Sequence, residues 1–325
     1  MKISDVTIVI PSVKLDSLTE KCITICNKLY PEAEIIVLVD WAEKNTLCDK
    51  FKLIICGPLT IAAKRNKAAY KARGKLLAFI DSDAFPSNNW LLTTVNEFKK
   101  NKDLVALAGP NVMPLDSIGN EKLVGLIEKS PLVTINAHYI KSKEKCRYVK
   151  TMPSCNLIVS KSFYLEVGGM NEKLFGGEDF EFCKRLSSTG KRILYHPEVL
   201  VFHKSRSLIS FLKKRISYGG FAYDNISLKM NIEMMISTMP ILNTMVFLCF
   251  PITIFFSETK FFYSIYLFCF FFTVFIESAR LAKVKKDFFL IYPVLLLAIL
   301  LPGLGSILRM FKILPSYQNI YKNYD

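Results

Sequence analysis

The chain has 325 residues, 51% of them hydrophobic, and a formal charge of +15. That length exceeds one average domain, and the charge narrows the partners to nucleic acid, an anionic membrane surface or an anionic substrate. No helix-turn-helix, zinc-finger or RNA-binding aromatic signature is present; the mean hydropathy of +0.28, concentrated after Ile236, favours membrane and phosphate over nucleic acid.

In chain order, Val6–Ile10 is a short β-branched run ending at Pro11, and Asp16–Leu29 has helical composition and stops before Pro31. Glu34–Val39 reads as a second strand ending at Asp40, and Phe51–Cys56 as a third. Ile61–Arg73 is rich in Ala and Lys and so helical by propensity, with Gly74 as its end cap. Leu76–Ile80 is a buried strand, Trp90–Asn101 a helix and Leu104–Ala108 a strand. Residues 110–150 are less regular and are expected to line an acceptor cleft. Cys155–Val159 reads as strand, Lys161–Val167 as helix closing at Gly168-Gly169, then a helix runs from Glu178 to about Ser188, and Val199–Phe202 leads to His203. Strands alternating with helices predict an α/β fold with a mainly parallel sheet covered on both faces.

From Leu208 to Ile216 apolar residues interleave with Lys213, Lys214 and Arg215. A basic amphipathic helix ahead of apolar spans predicts one lying on a membrane surface. Segments of about 236–256, 261–282 and 288–308 each approach the roughly 20 residues needed to cross a bilayer. Arg280, Lys283, Lys285 and Lys286 place the loop between the last two on the cytoplasmic side. Pro302, Gly303 and Gly305 leave the last segment open to a bent or re-entrant path, so two to three spans are expected. Glu277 and Arg280, one turn apart, either pair or reach the interface. The opening Met1-Lys2-Ile3-Ser4-Asp5 has no signal-peptide pattern, so residues before the spans are expected in the cytoplasm. The nine cysteines include no Cys-x-x-Cys and no zinc spacing, and are expected as reduced thiols. The domain reading is 1–205, a linker and interface helix at 206–235, and a membrane region at 236–325.

The chemistry concentrates at Asp81-Ser82-Asp83. A strand tip carrying two acids one residue apart aims both into the crevice at the edge of an open α/β sheet. Mg²⁺ typically takes one or two carboxylates plus phosphate oxygens, so the pattern predicts a metal-diphosphate site; taken alone, it also fits a polar turn after a strand.

The neighbours carry a resemblance. Val6-Thr7-Ile8-Val9-Ile10-Pro11-Ser12, Glu34-Ile35-Ile36-Val37-Leu38-Val39-Asp40 and Ala62-Ala63-Lys64-Arg65-Asn66 precede the Asp pair, while Gly168-Gly169-Met170-Asn171-Glu172, Gly177-Glu178-Asp179-Phe180-Glu181-Phe182 and Val201-Phe202-His203 follow it. In order and spacing, residues 4–205 resemble a family 2 glycosyltransferase with the GT-A (nucleotide-diphospho-sugar transferase) fold. The resemblance implies an inverting transfer from a nucleotide-diphospho-sugar, UDP-sugar first, to a lipid-linked or polysaccharide acceptor in envelope glycan synthesis, with Mg²⁺ or Mn²⁺ as cofactor. It implies Pro11, Ser12, Asp40, Arg65 and Asp81 as donor contacts, and Asp81, Asp83 and His203 around the metal. Asp179 is then the general base with Glu178 beside it, and Asn156, Lys214, Arg215 and Tyr218 stand on the acceptor or interface side. One departure stands out: where the family has two adjacent acids and Gly-Ser, this chain has Val39-Asp40-Trp41-Ala42, which leaves the choice among UDP, GDP and CMP open. The rival readings are a non-catalytic membrane scaffold keeping the fold, and a nucleic-acid binder. A dinucleotide oxidoreductase lacks its Gly-x-Gly-x-x-Gly turn after the first strand.

Overall fold

Largely apolar runs become strands buried on both faces, and among the described residues five such strands lie within the first 160. The computed structural model describes residues 1–42, 51–134, 145–174, 176–224, 232–248 and 257–314. It divides into two units, Met1–Leu115 with His138–Lys204, and Asp116–Ala137 with Ser205–Asn323.

The first unit is built on an eight-stranded sheet of order β3-β2-β1-β4-β9-β6-β10-β8. Its strands are β1 (Val6–Pro11), β2 (Glu34–Val39), β3 (Lys52–Ile55), β4 (Leu76–Ile80), β6 (Leu104–Ala108), β8 (Arg147–Val149), β9 (Asn156–Ser160) and β10 (Arg192–Tyr195). β3, β2, β1 and β4 run parallel, as do β6 and β10, while β9 is antiparallel to β4 and β6, and β8 to β10. Side chains alternate across the sheet. Ile8, Ile10, Val37, Ala78 and Ile80 pack on α1 (Ser17–Leu29) and α3 (Trp90–Lys100). Val9, Ile36, Leu38, Leu77 and Phe79 pack on α2 (Ile61–Lys71), α5 (Lys161–Glu166) and α6 (Glu178–Ser188). A small sheet of order β5-β11-β7 joins Ala84–Pro86, Val201–His203 and Asn111–Val112.

In this unit the expected strands and helices are present, with ends shifted by a residue or two. Four strands, β5, β7, β8 and β10, were not expected. Each has four residues or fewer, too short for a periodic signal, and each exists because a neighbour in the sheet supplies its hydrogen bonds.

The second unit contains α4 (Gly119–Ile127), α7 (Leu208–Asp224), α8 (Ile232–Leu248), α9 (Ser257–Leu281) and α10 (Lys285–Met310). Within α9 and α10, Thr259–Leu281 and Lys285–Met310 are long and apolar enough to cross a membrane. The first expected span, 236–256, overlaps α8, whose apolar stretch is Met239–Leu248, and its remainder lies outside the described residues. α10 is continuous through Pro293 and Pro302, so the last segment is not a broken one. Glu277 and Arg280 pair at 2.6 and 2.7 Å.

α7 packs along α10 with no side chain between them at Gly219, where an added Cβ would fall inside the Pro302 carbonyl group. Small residues permit such close approach. Arg215, expected at an acceptor or headgroup surface, is tied into this packing: its Nε donates to Ala298 O at 2.8 Å and its Nη1 to Val133 O at 3.0 Å. Pro302 has no N–H to return to the carbonyl four residues back, which is that of Ala298, and Arg215 fills the vacancy. Lys214 lies 5.3 Å from the Tyr218 ring centre, and Tyr218 is exposed.

Two outcomes follow. Arg215→Leu is expected to lower stability by about 1–3 kcal/mol, since a buried carbonyl loses its donor, measured by unfolding in detergent. Glu34 accepts from Thr7 Oγ1 at 2.6 Å, Arg73 N at 2.7 Å and Arg73 Nε at 2.9 Å. Burial works against its charge, but these donors outweigh it and hold its carboxyl below the usual range. A depressed folded pKa gives stability that is present above the unfolded value, about 4.3, and is lost as pH falls through the folded one. Glu34→Gln is therefore expected to be less stable than the parent at pH 7, with the gap closing below about pH 4, read from melting temperatures across pH.

Candidate active site

β4 ends at Ile80 and delivers Asp81 and Asp83 to the carboxyl edge of the sheet. The chain then turns into β5, which pairs antiparallel with β11 so that His203 stands opposite Ala84. Lys204 N–H donates to Asp83 O at 3.1 Å and fixes that register. His203 Nε2 is thereby held 3.3 Å from Asp83 Oδ1 and 3.8 Å from Asp81 Oδ2. One ligand atom from each of Asp81, Asp83 and His203 lies within 4.8 Å of the others. Burial opposes charge on His203, but the two carboxylates outweigh it and push its pKa up to about 10.

Two carboxylates and an imidazole suit a divalent cation such as Mg²⁺ or Mn²⁺. The wider cluster adds Glu178 and Asp179, so four acids face Arg65 and His203, and the excess of negative charge favours a cation. The residues present fit a metal site.

Arg65 comes from α2, whose start is capped by the Thr60 hydroxyl accepting from Ala63 N at 3.1 Å. Its side chain is 2% exposed. Nη2 donates to Asp81 Oδ1 at 2.9 Å and Nη1 to Glu178 Oε1 at 3.3 Å, with the guanidinium centre 5.8 Å from the Phe79 ring centre. The residue expected as a donor contact joins the acid of the strand tip to the acid of the α6 N-terminus. Glu178 has its carboxyl pKa raised by burial and by Asp179, with Arg65 opposing both.

α6 begins after Gly177, whose φ of +74 is left-handed and easily taken only by glycine. Asp179 Oδ1 accepts from Phe180 N at 2.8 Å, and Oδ2 accepts from Ser154 N at 3.1 Å and Ser154 Oγ at 3.4 Å. The Gly168–Glu172 stretch ahead of this helix is pinned by Asn66, whose Oδ1 accepts from Met170 N and whose Nδ2 donates to Met170 O and Glu172 Oε1.

The expected donor contacts Pro11, Ser12 and Asp40 meet at the ends of β1 and β2. A residue the sequence reading passed over joins them: Lys64, 1% exposed, lies 2.6 Å from both Asp40 Oδ1 and Ser12 O. In sequence it is one of several lysines on a helix, and only the fold shows it turned inward. Ser12 Oγ is spent on its own loop, donating to Lys14 O at 2.9 Å.

Asn156 is wholly buried and is no acceptor contact here. Its Oδ1 accepts from Trp90 Nε1 at 2.8 Å, and its Nδ2 donates to Val199 O at 2.8 Å and Pro110 O at 3.3 Å. It straps β9 to the segments leading to the small sheet. Its neighbour Cys155 faces the site more directly: burial and the nearby Asp81 and Asp179 charges push its thiol pKa well up, so it stays protonated. Lys214, Arg215 and Tyr218 belong to the second unit.

With this geometry in view, comparison decides the family. Residues 25–236 match the model described as "Glycosyltransferase like family 2". The chain belongs to that family. This family 2 glycosyltransferase is 28% identical over 172 residues to the pre-mycofactocin glycosyltransferase of Mycobacterium tuberculosis, matching 50% of this chain and only 34% of that protein, about a third of its length. It is 25% identical over 230 residues to the glucosyl-dolichyl phosphate glucuronosyltransferase of Haloferax volcanii, 63% of this chain and 69% of that one. The mannosyltransferase PcManGT from Pyrobaculum calidifontis, solved with GDP-Man and Mn²⁺, superposes with a TM-score of 0.57 at 13% identity, covering 95% of this chain and 87% of that one. The GT-A fold is thus shared.

Breaking a buried ion pair by removing one partner leaves the other charge uncompensated, at a cost of about 3–5 kcal/mol. Arg65→Met is expected to lose that much stability by chemical unfolding. Arg65→Lys keeps the charge without the fork and is expected to stay folded while binding Mn²⁺ at least tenfold more weakly by calorimetry.

Proposed function

We propose that this protein is a membrane-anchored, inverting glycosyltransferase. It moves a sugar from a nucleotide-diphospho-sugar to a lipid-linked or polysaccharide acceptor on the way to an envelope glycan. The observation that carries the reading is the connected cluster Asp81, Asp83, His203, Arg65 and Glu178 at the carboxyl edge of the sheet, with Asp179 next to Glu178 at the start of α6. A nucleotide-handling group and a proton acceptor standing together are what sugar transfer requires.

Asp83 and His203, with Asp81, would hold Mg²⁺ or Mn²⁺, which supplies Lewis-acid neutralisation of the departing diphosphate. Asp179 takes the proton of the acceptor hydroxyl as that oxygen attacks the anomeric carbon and the carbon–oxygen bond to the diphosphate breaks. Ser154 and the Phe180 amide hold the Asp179 carboxylate in place, and Arg65 keeps Glu178 and Asp81 at fixed separation. Pro11, Ser12 and Asp40 face the nucleoside, with a UDP-sugar as the first candidate.

The named activity of the Haloferax relative supports an acceptor linked to a lipid phosphate. The two long apolar helices support anchoring, with the Arg280–Lys286 turn on the cytoplasmic side. The proposed domain boundaries are 1–205, 206–235 and 236–325, with Asp116–Ala137 grouping with the later residues.

The test is nucleotide release by detergent-purified protein given UDP-, GDP- and CMP-sugars, Mg²⁺ or Mn²⁺ and total membrane lipid, beside Asp83→Asn. Release from one donor, dependent on metal and at least a hundredfold lower in Asp83→Asn, is the expected result. Metal-dependent nucleotide binding with no sugar transfer to any acceptor would instead make the protein a scaffold.

A further inference from the structure

Trp41 has no part in the site described so far. The chain holds two tryptophans. Trp90 is wholly buried with its indole N–H spent on Asn156. Trp41 directly follows Asp40 at the carboxyl end of β2 and is 54% exposed. The backbone beneath it is fixed: Ser12 N–H donates to Leu38 O at 2.8 Å and Asp40 N–H to Val13 O at 2.9 Å. Lys64 holds the Asp40 carboxylate from below. Lys14 Nζ stands 6.0 Å from the Trp41 ring centre. An aromatic surface with a cation beside it is therefore presented on a strand end that is itself locked in register.

We propose that Trp41 is the stacking platform for the nucleobase of the donor. The inference rests on the function proposed above and adds to it a residue that sets donor affinity. Sheet order carries the argument. β2, β1 and β4 are adjacent and parallel, so Trp41 and the Asp81–Asp83 tip stand on the same edge, on strands two spacings or about 10 Å apart. A diphosphate bound at β4 must lay its nucleoside along that edge. On the β9 side the edge is taken by Ser154 holding Asp179. The nucleoside therefore runs over β1 towards β2, where Trp41 waits with its ring accessible. Every base has a π-face, and stacking of this kind supports binding whatever the hydrogen-bond pattern of the base. The Lys14 ammonium beside the ring adds attraction for the ring itself.

Because Trp90 is sealed in the core, tryptophan emission that changes on ligand addition reports on Trp41. Full-length protein in detergent with Mn²⁺ is titrated with UDP, with GDP and with inorganic pyrophosphate, by fluorescence and calorimetry, in the parent, Trp41→Phe and Trp41→Ala. The expected result is saturable quenching by a nucleoside diphosphate and none by pyrophosphate. Trp41→Phe keeps nucleotide affinity within about threefold, while Trp41→Ala loses about tenfold and binds pyrophosphate as the parent does. Nucleotide affinity unchanged in Trp41→Ala would overturn this inference and leave the transferase reading standing. If neither nucleotide binds the parent with metal, the transferase reading falls and this inference with it.

Discussion

One buried guanidinium holds the functional edge of this protein together. Arg65 sits under the sheet edge with its two terminal nitrogens on Asp81 and Glu178. Asp81 belongs to the end of a strand and Glu178 to the start of a helix 97 residues later, so a single side chain fixes the distance between two parts of the site. Four carboxylates gathered in one place repel one another, and a buried charge is tolerated only when paired. Arg65 supplies part of that compensation from within the protein. Without a metal a protonated His203 supplies another part, a charge it gives up when a divalent cation takes its place among the acids.

The surrounding fold exists to hold these groups still. The large sheet ends its parallel strands on one side, and the small sheet of Ala84–Pro86, Val201–His203 and Asn111–Val112 folds back over that side to bring His203 to the acids. Asn66, one residue after Arg65, locks the Gly168–Glu172 stretch that leads into α6. α2 thereby touches both halves of the site through consecutive residues: Lys64 under Asp40, Arg65 between Asp81 and Glu178, and Asn66 against Met170. A rotation of this one helix would disturb all three places together.

Much of this was legible in the sequence, and for physical reasons. Strands buried on both faces are largely apolar, so β1, β2, β4 and β6 announce themselves. Acids at the end of such a strand stand out because nothing about packing calls for them there, and Asp81 and Asp83 were found that way. The inward turn of Lys64 was not legible, because a lysine on an Ala-rich helix reads as solvated until the fold closes over it. Asn156 was misread for the opposite reason: a polar residue among site motifs looks functional, yet its amide is consumed by Trp90, Val199 and Pro110. Arg215 was misread as an interface cation because its partner, a carbonyl freed by Pro302, lies 83 residues away and is visible only in three dimensions.

The central claim is that the cluster around Asp81, Asp83 and His203 holds a divalent cation and orients a nucleoside diphosphate along the β4-β1-β2 edge. The most direct measurement is a crystal or cryo-electron microscopy structure of the full chain with Mn²⁺ and UDP, the metal located by its anomalous signal where crystals allow. The account predicts the ion at coordination distance from Asp83 and His203, with Arg65 still bridging Asp81 and Glu178. An ion bound elsewhere, or a nucleotide lying away from the ends of β1, β2 and β4, would contradict it.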